Sequence, residues 1–324
     1  MPFDEQRSIA LTYTGIVLTQ SHNLYTVCLA EDHTRLLSAR VSGKMMHAAT
    51  SPADYPTVGD RAILAWDGHA DNAVIQGLEE RRSTLGRVGD PFTGERQLIA
   101  ANLDVLLMCM SLNQNFSLAR AERYVAAALA GGVTPVIVLT KADLTAEAEA
   151  RLRETECAFP YLRVLLNSRP DMPAVQFIRD LLAQGKTIAF AGSSGVGKST
   201  LVNAVLGREA MDTSAICEAD GRGRHTTTHR ELLFPDCGGA IIDTPGMRAF
   251  ALDDAAVDRT FTTIADFAGM CRFSDCTHTH EPGCAVRRAV EEGQLDPEQL
   301  NRYLQLKKEE QRRKNWQKFQ HRTR

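Results

Sequence analysis

The sequence predicts a multidomain α/β protein in three parts. These are an N-terminal five-stranded β-barrel of the OB type, a central domain built on a mostly parallel sheet, and a C-terminal helical, metal-binding module. Three observations predict it: short alternating segments up to about Arg82, continuous apolar runs alternating with helical stretches from about Leu98, and cysteines crowded beside histidines after Met270. At 324 residues the chain exceeds the length at which one hydrophobic core is the default. The expected boundaries are 1–84, 85–252 and 253–324.

Composition narrows the class. Hydrophobic residues make up 44% and charged residues 24%, ordinary globular usage. The longest apolar runs, Val105–Met110 and Val136–Leu139, fit buried strands and fall far short of the ~20 residues a bilayer demands. No membrane partner is expected, and the opening Met-Pro-Phe-Asp-Glu-Gln-Arg has no apolar signal core, so a cytoplasmic location is expected. The formal net charge of −3 attracts no nucleic acid by itself, which leaves RNA contact to local patches. One such patch is the tail Gln311–Arg324, with six Lys or Arg and no acid, read either as a phosphate-contacting helix end or as a solvated terminus.

In the first part, the segments Gly15–Gln20, Leu24–Ala30, Arg35–Ser42, Arg61–Trp66 and Ala73–Leu78 read as five strands separated by turn residues. An OB barrel is the natural architecture for that count, and an SH3-like barrel reads almost the same. In the second part, strands are expected at Val105–Met110, Val136–Thr140, Leu162–Leu166, Thr187–Ala191 and Ala240–Ile242, with a helix at Ala119–Ala130 closed by Gly131-Gly132. Unbroken apolar strands are those of a parallel sheet covered by helices on both faces. In the third, Pro297–Phe319 reads as a helix packing through Leu300, Leu304 and Leu306.

The strand Thr187–Ala191 runs into Gly192-Ser193-Ser194-Gly195-Val196-Gly197-Lys198-Ser199, which matches G-x-x-x-x-G-K-[ST] and opens a helical run. Glycines there let successive N–H groups turn toward phosphate oxygens, and the helix N-terminus adds positive potential. Lys198 bridges the β and γ phosphates, Ser199 ligates Mg²⁺, and Thr200 completes the contact segment. Ile241-Ile242-Asp243-Thr244-Pro245-Gly246 is an apolar strand ending in D-x-x-G, similar to the switch segment of GTPases. There the aspartate holds Mg²⁺ through water and the Gly246 N–H would meet the γ-phosphate. Between the two lies Gly221-Arg222-Gly223-Arg224-His225-Thr226-Thr227-Thr228, a glycine-rich basic loop. By likeness to other GTPases, Thr227 is the second Mg²⁺ ligand, with Thr226 the alternative.

Val136–Leu139 runs into Thr140-Lys141-Ala142-Asp143, a variant of N-K-x-D. The Asp143 carboxylate accepts from guanine N1–H and its exocyclic amine, a donor pair adenine lacks, while the Lys141 stem lies over the purine. Thr140 replaces asparagine, which leaves open one bracing hydrogen bond to the phosphate loop. This guanine motif precedes the phosphate loop, the reverse of the familiar order, so the domain reads as a circularly permuted P-loop GTPase domain. Ser168 falls where a base-edge loop belongs, with Arg169 in place of the usual alanine.

Cys271-x4-Cys276-x-His278-x5-Cys284 supplies a closed Cys3His set, the composition of one structural Zn²⁺ site, with His280 an alternative fourth ligand. Cys28, Cys109, Cys157, Cys217 and Cys237 stand singly and read as small buried hydrophobes.

With these motifs in place, the chain resembles the RsgA (YjeQ/YloQ/EngC) family of ribosome-dependent permuted GTPases. The likeness rests on Glu80-Arg81-Arg82-Ser83-Thr84-Leu85, Ile99-Ala100-Ala101-Asn102-Leu103-Asp104, T-K-A-D, G-S-S-G-V-G-K-S, G-R-G-R-H-T-T-T, D-T-P-G and C-R-F-S-D-C-T-H-T-H-E-P-G-C in that order. It implies a monomeric late maturation factor that binds the 30S subunit and its 16S rRNA in the GTP form. Hydrolysis to GDP, stimulated by the ribosome, releases it. Met247 follows D-T-P-G where other GTPases carry a catalytic glutamine, and the family suggests His225 for positioning water, beside Lys198. A paralogue acting on another RNA, a non-enzymatic RNA-binding scaffold and an ATP-using P-loop enzyme are the competing readings.

Overall fold

The computed structural model describes residues 11–21, 23–88, 96–112, 116–168, 172–207, 230–243 and 254–322. Alternating inward and outward side chains build the first unit from β1 (Leu11–Ser21), β2 (Leu24–Leu29), β3 (Leu36–Val41), a short helix α1 (Gly43–Ala48), β4 (Arg61–Trp66) and β5 (Asn72–Leu78). The inward set, including Val17, Tyr25, Val27, Leu37, Leu64 and Ile75, forms one apolar core. β1 pairs antiparallel with both β2 and β4, β3 runs parallel to β5, and β5 returns to β4, so the five strands close. All five expected strands are present, in the OB order.

A hairpin that the sequence did not suggest follows, β6 (Thr84–Val88) with β7 (Arg96–Ala101). Its strands are short, interrupted by Gly86, and lack a clean alternating pattern.

The central sheet contains β8 (Val105–Ser111), β9 (Thr134–Thr140), β10 (Arg163–Leu166), β11 (Thr187–Ala191), β12 (Glu231–Leu233) and β13 (Ala240–Asp243) in the order β10-β9-β8-β11-β13-β12. All run parallel except β12, which is antiparallel to β13. α2 (Leu118–Ala130), α3 (Ala148–Ala158), α4 (Pro173–Ala183) and α5 (Lys198–Leu206) connect the strands. Two apolar clusters flank the sheet: Leu106, Met108 and Ile137 face α2, and Leu107, Val138 and Phe190 face α4 and α5.

β12 also pairs with β1 at Glu231–Thr19, which joins barrel and sheet into one eleven-stranded system among the described residues. The junction is polar as well. Arg81 donates twice to the Asp60 carboxylate at 2.7 Å and again to the Ala53 and Tyr55 carbonyls, while Asp60 accepts from the Thr57 N–H. Asp60 is fully buried. Its loss strands the guanidinium, so Asp60→Ala should destabilise the fold by about 3–5 kcal/mol. Urea unfolding would measure this, with the exposed Arg61–Glu79 pair as a control whose loss shifts the midpoint little.

The last unit is helical: α6 (Asp254–Thr260), α7 (Thr262–Ala268), α8 (Ala285–Glu291) and α9 (Pro297–Arg322). Leu300 and Leu306 of α9 are buried as expected, together with Tyr303. α9 reaches back to α2, where Arg302 pairs with the buried Glu122 at 2.8 Å and Glu309 takes Arg123 in a two-bond fork. No described helix is long and apolar enough to cross a membrane. Cys28 and Cys109 are buried, but Cys157, in the last turn of α3, and Cys237, in the β12–β13 turn, are exposed. These are positions where the chain leaves the core; Cys217 lies outside the described residues.

Candidate functional site

Because β8, β9, β10, β11 and β13 are parallel, their C-terminal ends share one edge of the sheet. Thr140, Ser168, Gly192 and Asp243 all follow or end strands there. The chain leaves β8 toward β9 and β10, and leaves β11 in the opposite direction toward β13. A sheet divided in this way opens a crevice at the reversal, the usual seat of a ligand in open α/β folds.

The Gly192–Ser199 loop occupies that crevice. Gly192 has φ +139, and a Cβ there would stand 2.3 Å from the Cys109 carbonyl oxygen, so only glycine lets the loop pass over β8. Lys198 turns back over the loop and donates to the carbonyls of Gly192 at 2.8 Å and Ser193 at 2.7 Å. Gly197, at φ +98, begins α5 without a side-chain cap, an arrangement in which a helix start can receive an anion. Ser199 and Thr200 sit in that first turn, both partly buried. Burial pulls the Lys198 ammonium below its ordinary range, against the opposing charge of the Asp243 carboxylate. The Cys109 thiol below is pushed up to about 12 by burial and is protonated at neutral pH.

Thr140 supplies the brace that the missing asparagine left open. Its hydroxyl donates to the Val196 carbonyl at 2.5 Å, which ties the end of β9 to the middle of the loop. Lys141 adopts the left-handed conformation at φ +58 and starts a 3-10 turn, Ala142–Leu144, that carries Asp143 to the surface. The turn is anchored to the end of β10: the Ala142 N–H donates to the Asn167 carbonyl, and the Asn167 N–H to that of Leu139. The T-K-x-D and G-x-x-x-x-G-K-S segments therefore meet through a direct hydrogen bond, although 56 positions separate Thr140 from Val196. His225, Thr227 and Gly246 lie outside the described residues.

The second cluster gathers Cys271, Cys276, His278 and Cys284, whose ligand atoms all lie within 4.8 Å of one another. His278 Nδ1 stands 3.6 Å from Cys271 Sγ and 3.5 Å from Cys284 Sγ, and these two sulfurs are 3.9 Å apart. A tetrahedral zinc with ordinary Zn–S and Zn–N bonds requires S···S of about 3.8 Å and S···N of about 3.5 Å, which the Cys271, His278 and Cys284 separations match, with Cys276 within 4.8 Å of the rest. His280 is exposed; His278 is the histidine brought to the sulfurs. Burial pulls the His278 imidazole below its ordinary range and favours the neutral, ligating form. Cys284 caps α8 by accepting from the Arg287 N–H.

Two contributors escaped sequence reasoning. Glu281 accepts from the N–H groups of Thr277, Thr279 and His280 and from the Thr277 hydroxyl, so it folds the turn that holds His278 at φ +60. These hydrogen bonds, led by Thr277, hold its carboxyl well below the usual range. Arg120, in the first turn of α2, donates to the Ser193 hydroxyl at 3.0 Å. A helical arginine carries no sequence signal of such a contact; a glutamate just after T-H-T-H in a tight turn does.

The geometry agrees with what the chain is similar to. The family model described as RsgA GTPase matches residues 78–253. Small ribosomal subunit biogenesis GTPase RsgA 2 of Lactiplantibacillus plantarum is 43% identical over 91% of this chain and 82% of its own length. Its counterpart RsgA of Opitutus terrae is 38% identical over 90% and 84%. Among solved structures, YjeQ from Thermotoga maritima superposes with a TM-score of 0.69 at 27% identity, covering 93% of this chain and 99% of that one. YloQ, a circularly permuted GTPase, gives 0.66 at 23% identity, over 97% and 99%, a likeness of fold. By the family model, by identity over most of its length and by the permuted fold, this chain belongs to the RsgA GTPase family.

Proposed function

We propose that the chain is a GTP hydrolase acting in late maturation of the small ribosomal subunit, bound to the 30S particle in its GTP form and released after hydrolysis. The observation that carries the nucleotide reading is the Thr140–Val196 hydrogen bond, because it brings a guanine-type motif and a phosphate-type loop to one crevice in reversed sequence order. The ribosomal role draws on the names of the relatives.

In this reading the purine lies between Lys141 and the Ser168 end of β10, with Asp143 on its N1 edge. The N–H groups of Gly192–Thr200 and Lys198 receive the phosphates. Ser199 and Asp243 offer oxygen donors for Mg²⁺, with Thr227 the proposed third, and the ion when bound neutralises charge on the β and γ oxygens. His225, in the glycine-rich basic segment that precedes β12 in sequence, positions water. The three functional parts are 1–84, 85–252 and 253–324. The barrel and the zinc module contact 16S rRNA, and the protein acts as a cytoplasmic monomer.

Two assays test this. GTP turnover should be stimulated by purified 30S subunits and fall at least a hundredfold in Lys198→Ala, which removes a charge from the developing transition state. In sedimentation, the chain should travel with 30S in the presence of a non-hydrolysable GTP analogue and stay behind with GDP. Equal sedimentation in both states would refute the release step; turnover that survives Lys198→Ala would refute the site.

A further inference from the structure

The geometry points to Arg120 as a positioning residue of the phosphate site: from the first turn of α2 it holds Ser193, the first residue after Gly192, by its hydroxyl. The inference rests on the reading of Gly192–Ser199 as a phosphate loop and adds a residue that no motif contains.

Ser193 is gripped from two sides. Lys198 donates to its carbonyl at 2.7 Å and Arg120 Nη1 to its hydroxyl at 3.0 Å. A glycine-rich loop must hold several N–H groups aligned before the ligand arrives, and each fixed peptide unit lowers the entropy lost on binding. The second grip also brings a cation to the loop that will face a polyphosphate.

Arg120 can serve as a fixed post because α2 is immobilised along its length. Ser117 caps the helix by accepting from the Arg120 N–H at 3.3 Å. One turn on, the buried Glu122 is paired with Arg302, and Arg123 is forked by Glu309, both from α9. Arg259, just before the end of α6, donates to the Leu129 carbonyl in the last turn of α2. The C-terminal module thus braces the helix that carries Arg120, and the position of the Arg120 guanidinium depends on the docking of α9.

A double-mutant cycle tests the assignment. GTP turnover would be measured as kcat/KM for the full-length protein and for Arg120→Ala, Ser193→Ala, the double variant and Arg120→Lys, with thermal melting as a check on folding. A charge-assisted hydrogen bond predicts a loss of roughly ten- to a hundredfold in each single alanine variant. The double variant should be no worse than the singles, and Arg120→Lys should recover part of the loss while retaining the charge. Turnover within twofold of the parent in Arg120→Ala, or losses that multiply in the double variant, would overturn the inference. If the parent protein turned over no GTP, the functional reading itself would fail. The same cycle read as affinity for a non-hydrolysable GTP analogue would then decide the role of Arg120 separately.

Discussion

Stripping zinc from the proposed Cys3His site with a chelator is expected to melt the Cys271–Cys284 segment and to lower the thermal midpoint of the whole chain. The four donors come from one loop and the start of α8, and among them only Cys284 and His278 are buried. Without the ion, three sulfurs stand within 4.8 Å of one another with no bond to hold them there. Zinc binding in small modules is worth about 10–16 kcal/mol, most of which becomes folding free energy of the loop. The helices around it keep a core of their own, with Val257, Phe261, Ile264, Val286 and Tyr303 buried. Hydrogen exchange should therefore accelerate in residues 271–284 first, while the central sheet stays protected. Metal analysis should find one zinc per chain and less in Cys276→Ser. A protein that purifies without zinc and melts at the same temperature with or without chelator would refute the metal assignment.

The second large effect is expected at the base. Asp143→Ala should weaken GTP binding by about a thousandfold or more and leave ATP binding where it was, erasing discrimination between the two. Sites built to hydrogen-bond a donor pair reject ligands lacking it by roughly 10⁴–10⁵, and Asp143 is the proposed acceptor of such a pair in the T-K-x-D turn. Its placement is mechanical: the αL conformation of Lys141 starts the turn, Asn167 anchors it to β10, and Thr140 ties it to the loop. Equilibrium titration with fluorescent GTP and ATP analogues would measure the change. Preserved preference for GTP would show that guanine is read elsewhere.

Much of the fold was legible in the residues because it is written in local periodicity. Five alternating segments became five strands, the first starting four residues earlier than expected, and continuous apolar runs became the parallel strands with boundaries within two residues. The β6–β7 hairpin was not legible, since its pattern is too short and too irregular to stand apart from a linker. Cys157 and Cys237 show the same limit: a cysteine's burial depends on which face its element turns inward, and an isolated residue has no periodicity to reveal it.

The motifs were legible at the level of residue type. Spacing alone singled out Gly192–Ser199, Asp143, Asp243 and the Cys3His set as candidates, because phosphate, guanine and zinc each demand particular donors at particular intervals along one stretch of chain. What joins these stretches belongs to the tertiary structure. The choice of His278 over His280, the Thr140 brace to Val196, the grip of Arg120 on Ser193 and the docking of α9 on α2 all depend on distances between segments far apart in sequence or on a backbone turn. A hydrogen bond is decided within a few tenths of an ångström, and only the packed sheet and helices fix positions that finely.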